Sequence, residues 1–190
     1  MPPELKTERL LLRAFTRNDI ESIFAIYSDA EVNRFLPWYP LRTLEEAGRL
    51  YEERYAGAGE YRWAVCLRDE NVPVGYVHVS ADGSHDLGYA LGRAYWGRGL
   101  ATEACRAVID RLRMDGVPFV TATHDVNNPG SGRVMQKLGM RYQYTYREQW
   151  QPKNIPVQFR LYQLNLDGNT DRVYRKYWEL YPEHHIEKNL

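Results

Sequence analysis

Residues 95–104 read YWGRGLATEA and join a glycine-containing turn directly to the start of an amphipathic helix. The first turn of a helix leaves about four backbone amides without partners, at the positive end of the helix dipole. Gly97 and Gly99 allow an anion to approach this backbone without a Cβ in the way, and Arg98 adds positive charge. The segment therefore predicts a phosphate-binding turn.

This turn differs from the glycine motifs of nucleotide-binding proteins. It has no Gly-Lys-Ser/Thr ending to hold Mg²⁺ and a triphosphate, and its spacing is not the G-x-G-x-x-G of dinucleotide sites. A pyrophosphate bound without an obligatory metal fits better. Glycines that only turn the chain are the simpler interpretation of a short motif, so the surrounding segments decide between the two.

Length and composition favour one compact domain that does not bind nucleic acid. The chain has 190 residues, and its 25 Lys and Arg balance its 25 Asp and Glu without a long basic run. Cys66 and Cys105 lie in apolar periodic segments, and no signal peptide or long apolar run is present. We expect a cytoplasmic protein with reduced thiols and no membrane contact. The five histidines lack the spacing of a zinc site, so no metal is expected.

Apolar spacing and capping residues predict alternating strands and helices. Strands are predicted in ERLLLRAFT, RWAVCLRD, VPVGYVHVS, DLGYALG, PFVTATH, RYQYTYREQW and VQFRLYQLNL. Helices are predicted from the Thr16 and Asp19 cap to about Ser28, from the Thr43 and Glu46 capping box to about Ala56, from Leu100 to Asp115, and from Asn128-Pro129 to Gly139. Residues 1–166 form the predicted domain.

Residues 167–190 form a polar and aromatic tail. Helical spacing predicts a short helix with Val173, Tyr177 and Leu180 on one face and other aromatic residues adjoining. Such a stripe packs on its own domain or on a second subunit, so a homodimer is one expectation.

The motif YWGRGLATEA followed by NNPGSGRVMQKLGM resembles the GNAT superfamily of acetyl-CoA-dependent N-acetyltransferases. The TERLLLR opening and the FLPWYP loop are similar to the Rim-type branch, which acetylates ribosomal-protein alanines and small amines. The resemblance covers residues 5–166. Trp96 departs from the Gln or Arg that usually opens the turn, and we interpret it as a mark of the subfamily. The resemblance implies an α/β fold: a mixed, mostly antiparallel sheet of six to seven strands, helices on both faces and a splayed central strand pair.

The resemblance also implies how acetyl-CoA, the acyl donor, is bound without a metal. Pantetheine would run as an extra strand along residues 87–91, with Leu91 its main contact, where this strand splays from residues 119–124. Asn128 and Ser131, at the start of the following helix, would complete the site. The backbone expected to hold the pyrophosphate comes from Arg98, Gly99, Leu100, Ala101 and Thr102.

Acetyl transfer needs a base for the amine, and two carboxylates are candidates. Asp86 opens the strand beside the thioester path, where many superfamily members carry a carboxylate. An exposed strand-end aspartate, with a pKa of about 3.9, would be a poor base, so this second interpretation stays open. Glu148 is the rival: it is expected to line the acceptor cleft as a base or as a contact for a cationic amine, or to lie on the outer face of its strand.

The thiolate that leaves needs a proton. Many family members carry a tyrosine seven residues after the helix-opening asparagine, but this chain has Met135 there. Ser131 matches the hydroxyl that the Rim-type branch offers near the sulfur, or it is an ordinary helix-start serine. Asn128 is a helix cap that, by resemblance, also contacts the cofactor.

Two aromatic residues and one glutamine bear on the acceptor. Trp38 and Tyr39 fall where the family builds the acceptor wall, and covering the core under a surface loop is an equal interpretation. Gln158 stands where many relatives have an aspartate, so that acceptor contact does not carry over.

The predicted function is acetyl transfer to a primary amine, either a protein N-terminus or a small molecule, by direct attack in a ternary complex. The missing tyrosine supports an alternative, a coenzyme A-binding module without turnover. Phosphoryl transfer ranks last, because it needs Mg²⁺ ligands that the sequence does not show.

Overall fold

The structure is a computed structural model that describes residues 2–57 and 61–188. Its helices are α1 Ile20–Ser28, α2 Leu44–Arg54, α3 Leu100–Met114, α4 Pro129–Lys137 and α5 Lys176–Leu180, with 3₁₀ turns at Arg17–Asp19 and Arg93–Tyr95. Its strands are β1 Leu5–Lys6, β2 Leu10–Arg13, β3 Arg62–Leu67, β4 Pro73–Val79, β5 Leu87–Leu91, β6 Phe119–Asp125, β7 Arg141–Trp150, β8 Ile155–Asn165 and β9 His184–His185.

The chain divides into two compact units. The first comprises Met1–Val79 and Gly88–Val108, and the second comprises Ser80–Leu87 and Ile109–Leu190. The first sheet has the order β1-β2-β3-β4-β5, and the second has the order β6-β8-β7-β9. The predicted antiparallel α/β fold is confirmed, but the predicted count of six to seven strands is not, because the described residues form nine strands in two sheets.

The core of the first unit follows from two apolar periods. In β2, Leu10 and Leu12 alternate inward and are fully buried, as a strand period of two requires. In α1, Ile23, Ile26 and Tyr27 recur at helical spacing and are buried. The Tyr27 ring stacks on Tyr76, with the two centroids 5.2 Å apart. The core is therefore made by residues that the sequence pattern already sets apart.

A capping interaction and an ion pair, both made by Asp19, fix the start of α1. The Asp19 carboxylate accepts a hydrogen bond from the Thr16 backbone N–H (2.7 Å) and two from the Arg13 guanidinium (2.7 and 2.9 Å). The exposed fractions of the Arg13 and Asp19 side chains are only 14% and 8%. The predicted cap at Thr16 and Asp19 is confirmed, and Arg13 adds a partner that helix signals do not reveal.

Residues 172–187, here called the C-terminal strap, pack on the second sheet. The β7–β8 hairpin buries Tyr144, Tyr146, Val157, Phe159 and Leu161, and the strap covers them with Tyr174, Tyr177, Trp178 and Tyr181. Of the predicted helix face, Tyr177 packs here, whereas Val173 and Leu180 are exposed. The strap is held by rings rather than by aliphatic side chains.

Two further sequence expectations concern thiols and membranes. Cys66 and Cys105 are buried and unpaired. Within residues 2–57 and 61–188, no helix combines the length and the apolarity needed to cross a bilayer.

We predict that Asp19→Ala lowers the free energy of unfolding by about 3 kcal/mol, because it leaves the mostly buried Arg13 guanidinium without a counterion. Urea titration measures the loss. Glu52→Ala is the matched control, since Glu52 forms an exposed pair with Arg17 and should cost less than about 1 kcal/mol. Equal losses in the two variants would contradict the importance of the buried pair.

Candidate active site

The glycine turn that the sequence predicts to bind phosphate lies in the first unit, at the start of α3. Gly97 and Gly99 have φ values of 71° and 78°, in the left-handed region that only glycine enters without strain. Gly99 C=O accepts the Glu103 N–H (3.0 Å) at the start of α3. Residues 97–99 are exposed, whereas Leu100 is buried. The backbone therefore changes from an exposed turn to a packed helix at the point where a phosphate would bind.

An arginine that the sequence analysis did not single out supports this turn. Arg9 donates from Nη1 to the Arg98 carbonyl (3.0 Å) and from Nε to the Glu103 carboxylate (2.7 Å). Thr7 donates its hydroxyl to the other Glu103 oxygen (2.6 Å). Burial raises the pKa of Glu103, but these hydrogen bonds outweigh it and leave the pKa lowered. Thr7 and Arg9 of the TERLLLR opening therefore have a structural role, because both hold Glu103 next to the turn.

Trp96, the departure from the usual turn sequence, links the turn to β5. Its indole Nε1 donates to the Leu91 carbonyl (2.6 Å), while half of its surface stays exposed. Leu91 itself is buried. The Leu91 carbonyl therefore accepts one hydrogen bond from within the protein. The pantetheine contact predicted at Leu91 stays a prediction.

In the second unit, a hydrogen-bonded loop delivers Asp86. The Ser84 hydroxyl accepts the Asp86 N–H (3.3 Å) and donates to Asp82, and the Ser84 carbonyl accepts the Thr121 hydroxyl (2.8 Å). His85 has a φ of 47°, which is uncommon outside glycine. Asp86 then pairs with Thr121 as a parallel bridge. The loop thus places the Asp86 carboxylate at the start of β5, and His85 adopts a strained backbone conformation in doing so.

Asp86 is not the solvated strand-end aspartate of the alternative interpretation. The residue keeps some exposed surface, but its Oδ1 atom is buried and lacks a hydrogen-bond partner within the described residues. Burial, and secondarily the charge of Asp82, raise the pKa of Asp86 to about 7. A carboxylate with a pKa in this range suits a general base at neutral pH.

Tyrosine rings lie beside Asp86 and Glu148. Tyr146 stacks on Tyr177 at a centroid distance of 5.0 Å and on Tyr181 at 5.1 Å. Burial, and then the charges of neighbours that include Glu148 and Asp86, raise the pKa of Tyr146. Burial also raises the pKa of Glu148, against a hydrogen bond from Tyr181. The structure therefore brings both predicted carboxylates to one tyrosine cluster.

The start of α4 has the predicted cap. Asn128 Oδ1 accepts the Ser131 N–H (3.3 Å), and Pro129 occupies the first helical position. Position 135 holds a buried methionine, whose side chain has no acidic hydrogen to donate. His124 lies against this helix: its Nε2 is 2.7 Å from the position that a Cβ on Gly132 would take. Only glycine fits there without displacing the imidazole.

The remaining acceptor candidates, Trp38 and Tyr39, lie in the loop between α1 and α2 of the first unit. Trp38 packs on the core of the first unit, where its Nε1 donates to Asn33 Oδ1 (2.9 Å). Tyr39 is 61% exposed. In the second unit, Gln158 lines a groove of about 600 Å³ together with Tyr146 and part of the strap. Trp38 thus covers the core, whereas Tyr39 is available to a ligand. No group of three or more possible metal ligands occurs in the described part of the chain.

Comparison with known proteins identifies the family. Residues 9–141 match the model of the acetyltransferase (GNAT) domain, so the chain belongs to this family. It is 27% identical over 176 residues to the uncharacterized N-acetyltransferase YoaA of Bacillus subtilis, covering 86% of this chain and 97% of that protein. The family assignment supports N-acetyltransferase activity.

Solved structures agree with this assignment. A GNAT-family acetyltransferase from Bacillus anthracis superposes with a TM-score of 0.77 at 26% identity, covering 87% of this chain and 99% of that one. RimL, a ribosomal alpha-N-protein acetyltransferase solved with coenzyme A, has a TM-score of 0.72 at 16% identity and covers 88% and 100% of the two chains. The RimL likeness shows the shared fold.

We predict that Asp86→Asn removes a pH dependence of stability. The pKa of Asp86 is about 7 in the folded chain and about 4 when unfolded, so the group stabilises the fold below pH 4 and this contribution is lost as the pH rises towards 7. Relative to Asp86→Asn, the wild type should lose on the order of 2 to 4 kcal/mol between about pH 4 and pH 8.

Urea unfolding at several pH values measures this difference. Asp69→Asn, at an exposed aspartate in the β3–β4 turn, is the control. If the wild type and Asp86→Asn keep the same difference at every pH, Asp86 does not titrate in the way that its burial requires.

Proposed function

We propose that this chain transfers the acetyl group of acetyl-CoA to a primary amine by direct attack in a ternary complex, with Asp86 as the general base. The observation that carries the proposal is that Asp86 Oδ1 is buried and has no hydrogen-bond partner among the described residues, and that burial raises the pKa of this carboxyl group to about 7. A base works best when its pKa lies near the working pH, and burial gives this aspartate such a pKa.

The residues of the phosphate-binding turn fit the cofactor. The exposed backbone of residues 97–99 has left-handed glycines, and a Cβ at Gly99 would lie 3.7 Å from Nη2 of Arg9. Arg9 is already paired with the Glu103 carboxylate (2.6 Å), so it holds the turn in place, and the backbone N–H groups are left to bind the pyrophosphate. We assign the pyrophosphate to the backbone of residues 98–102. When bound, acetyl-CoA supplies the activated acyl group as a thioester.

The proposed proton path runs from the amine to the leaving thiolate through side chains of this protein. Amines are mostly protonated at neutral pH, so the Asp86 carboxylate, which keeps some exposed surface, accepts a proton from the amine before or during attack. Glu148, half-buried beside Tyr181, holds the cationic form of the amine. The Ser131 hydroxyl, on the first turn of α4, is assigned to donate a proton to the leaving thiolate and to regain one from the amine nitrogen, which loses its second proton as the amide forms. Asn128 is assigned to orient the cofactor. These roles rest on family position together with the burial described above.

The acceptor is a protein N-terminus or a small amine. The chain shares its fold with RimL, and the FLPWYP loop resembles that of the Rim-type branch; both support a peptide N-terminus as the acceptor. Exposed Tyr39 supports an acceptor wall at that loop, whereas Trp38 contributes by holding the loop on the core. A cytoplasmic location and a homodimer stay predictions.

One observation favours a second function, a coenzyme A-binding module without turnover. Met135 is buried where many relatives carry a tyrosine that protonates the thiolate. Thiol release from acetyl-CoA over a panel of peptides and small amines separates the two functions. Release no faster than that of a Gly99→Glu variant would favour the binding module.

We predict that Gly99→Glu weakens coenzyme A binding at least about tenfold, because a side chain at positive φ strains the turn and its carboxylate repels phosphate. Isothermal titration calorimetry measures the affinity. Gly83→Glu is the matched control, since Gly83 is exposed and a Cβ there meets no atom within 4 Å. Absence of coenzyme A binding by the folded wild type would refute the proposed function.

We predict that Asp86→Asn lowers kcat/KM by about 10² to 10⁴ while the affinity for coenzyme A stays within about twofold. In the wild type, kcat/KM should rise with pH up to about 7, because only the ionised carboxylate accepts a proton. Glu148→Gln is measured alongside. If Glu148→Gln abolishes this ionisation and Asp86→Asn preserves it, the base is Glu148 instead.

A further inference from the structure

The C-terminal strap is built into the second unit at its far end. The Glu187 carboxylate accepts two hydrogen bonds from the Arg160 guanidinium (2.8 and 2.7 Å) and one from the Thr145 hydroxyl (2.6 Å). The Glu187 N–H donates to the Tyr142 hydroxyl (3.0 Å). A bidentate pair with two further bonds is a specific anchor and not a chance surface contact.

A second anchor holds the near end of the strap. The Gln163 side chain is buried; it donates to the Arg172 carbonyl (2.8 Å) and accepts the Tyr174 N–H (2.7 Å). The Tyr144 hydroxyl donates to the Tyr174 carbonyl (2.8 Å). The segment between the two anchors therefore has little freedom, although it lies outside residues 9–141 that match the family.

Between these anchors, the strap places aromatic rings at the Asp86 loop. Tyr174 lies 6.0 Å from the Phe119 ring, which in turn lies 5.2 Å from the His85 imidazole. Tyr177 stacks on buried Tyr146. The Tyr177 hydroxyl lies within hydrogen-bonding reach of the Ser84 side chain, whose hydroxyl also accepts the Asp86 N–H (3.3 Å). After burial, the negative charge of Asp86 contributes most to the raised pKa of Tyr177, as this proximity requires.

The groups around Asp86 explain why a cover matters. Its Oδ1 is buried, and no described residue offers it a hydrogen bond. Carboxylates in contact with water keep a pKa of about 4. Water reaching this atom would solvate the charged form and lower the pKa. The charge of Asp82 on the same loop acts on Asp86, and the charge of Asp86 acts in turn on Tyr146 of β7 and on Tyr174 and Tyr177 of the strap. One step further out, His85 and Lys176 act on Asp82, and Glu148 acts on Tyr146.

We propose that the C-terminal strap is part of the catalytic site and that Tyr177 is a positioning residue, whose ring keeps water from the carboxyl group of Asp86. This inference rests on the proposed function, in which Asp86 is the base. Tyr177 does not touch the reacting atoms in this scheme. It acts through Asp86, because an aspartate that loses its cover is a weaker base at neutral pH.

The test is a titration of the Asp86 carboxyl carbon by ¹³C NMR, assigned by comparison with Asp86→Asn. In the wild type the midpoint should lie at about pH 7. Tyr177→Ala should lower it by at least about one pH unit, because water enters the space left by the ring. Tyr177→Phe keeps the ring and should keep the midpoint.

Leu180→Ala is the matched control, because Leu180 lies on the same short helix but is 58% exposed. It should change neither the midpoint nor the turnover. A folded Tyr177→Ala variant with the wild-type midpoint would overturn the proposal. A Tyr177→Phe variant whose midpoint falls as far as that of Tyr177→Ala would also overturn it, because the hydroxyl would then be the determinant. If Tyr177→Ala does not fold, Tyr177→Leu replaces it under the same criteria.

Turnover separates this inference from the proposed function. Tyr177→Ala should move the rising limb of the kcat/KM profile to lower pH by the same amount as the NMR midpoint, with unchanged affinity for coenzyme A. If the NMR midpoint falls but Asp86→Asn keeps full turnover, the strap covers Asp86 and the base is another residue. If Asp86→Asn is inactive and the midpoint does not move in Tyr177→Ala, the base is correct and the strap proposal is wrong.

Discussion

The Oδ1 atom of Asp86, which is buried and has no hydrogen-bond partner within residues 2–57 and 61–188, is the constraint around which the loop that carries it is organised. Loop 80–86 supplies the Ser84 carbonyl to the Thr121 hydroxyl and the Ser84 hydroxyl to the Asp86 amide, and it accepts a strained φ at His85. Burying a polar atom in this way costs free energy, and proteins tolerate such costs mainly where chemistry needs them. The cost here yields a carboxylate whose pKa of about 7 lies near the physiological range.

The first unit holds a glycine turn whose backbone amides are placed to meet an anion. Left-handed glycines form the turn, and Arg9, which immediately precedes β2, braces it through the Arg98 carbonyl and the Glu103 carboxylate, 89 and 94 residues later in the chain. Trp96 braces the other side through the Leu91 carbonyl. A preformed turn loses less entropy on binding than a flexible one, so this bracing favours affinity for the cofactor.

Aromatic residues of the C-terminal strap pack on the core of the β7–β8 hairpin. A tail of tyrosines and a tryptophan could equally have packed against a second subunit, but here the rings stack on Tyr146, and Glu187 closes the segment through Arg160. Rings bury much area with few rotatable bonds, so a short segment can cover a site without a long helix. The strap therefore joins stability to the environment of Asp86.

The sequence by itself determined the local elements and the turn. The caps at Thr16, Thr43 and Asn128 and the glycines of the turn act over about four residues, so they can be identified without the fold. Only the tertiary structure decided that the chain forms two sheets, that Arg9 braces the turn, that Trp38 packs on the core, and that the strap lies beside Asp86. Each of these depends on residues that are distant in sequence, and the protonation of Asp86 depends on what buries it, which residue identity alone does not specify.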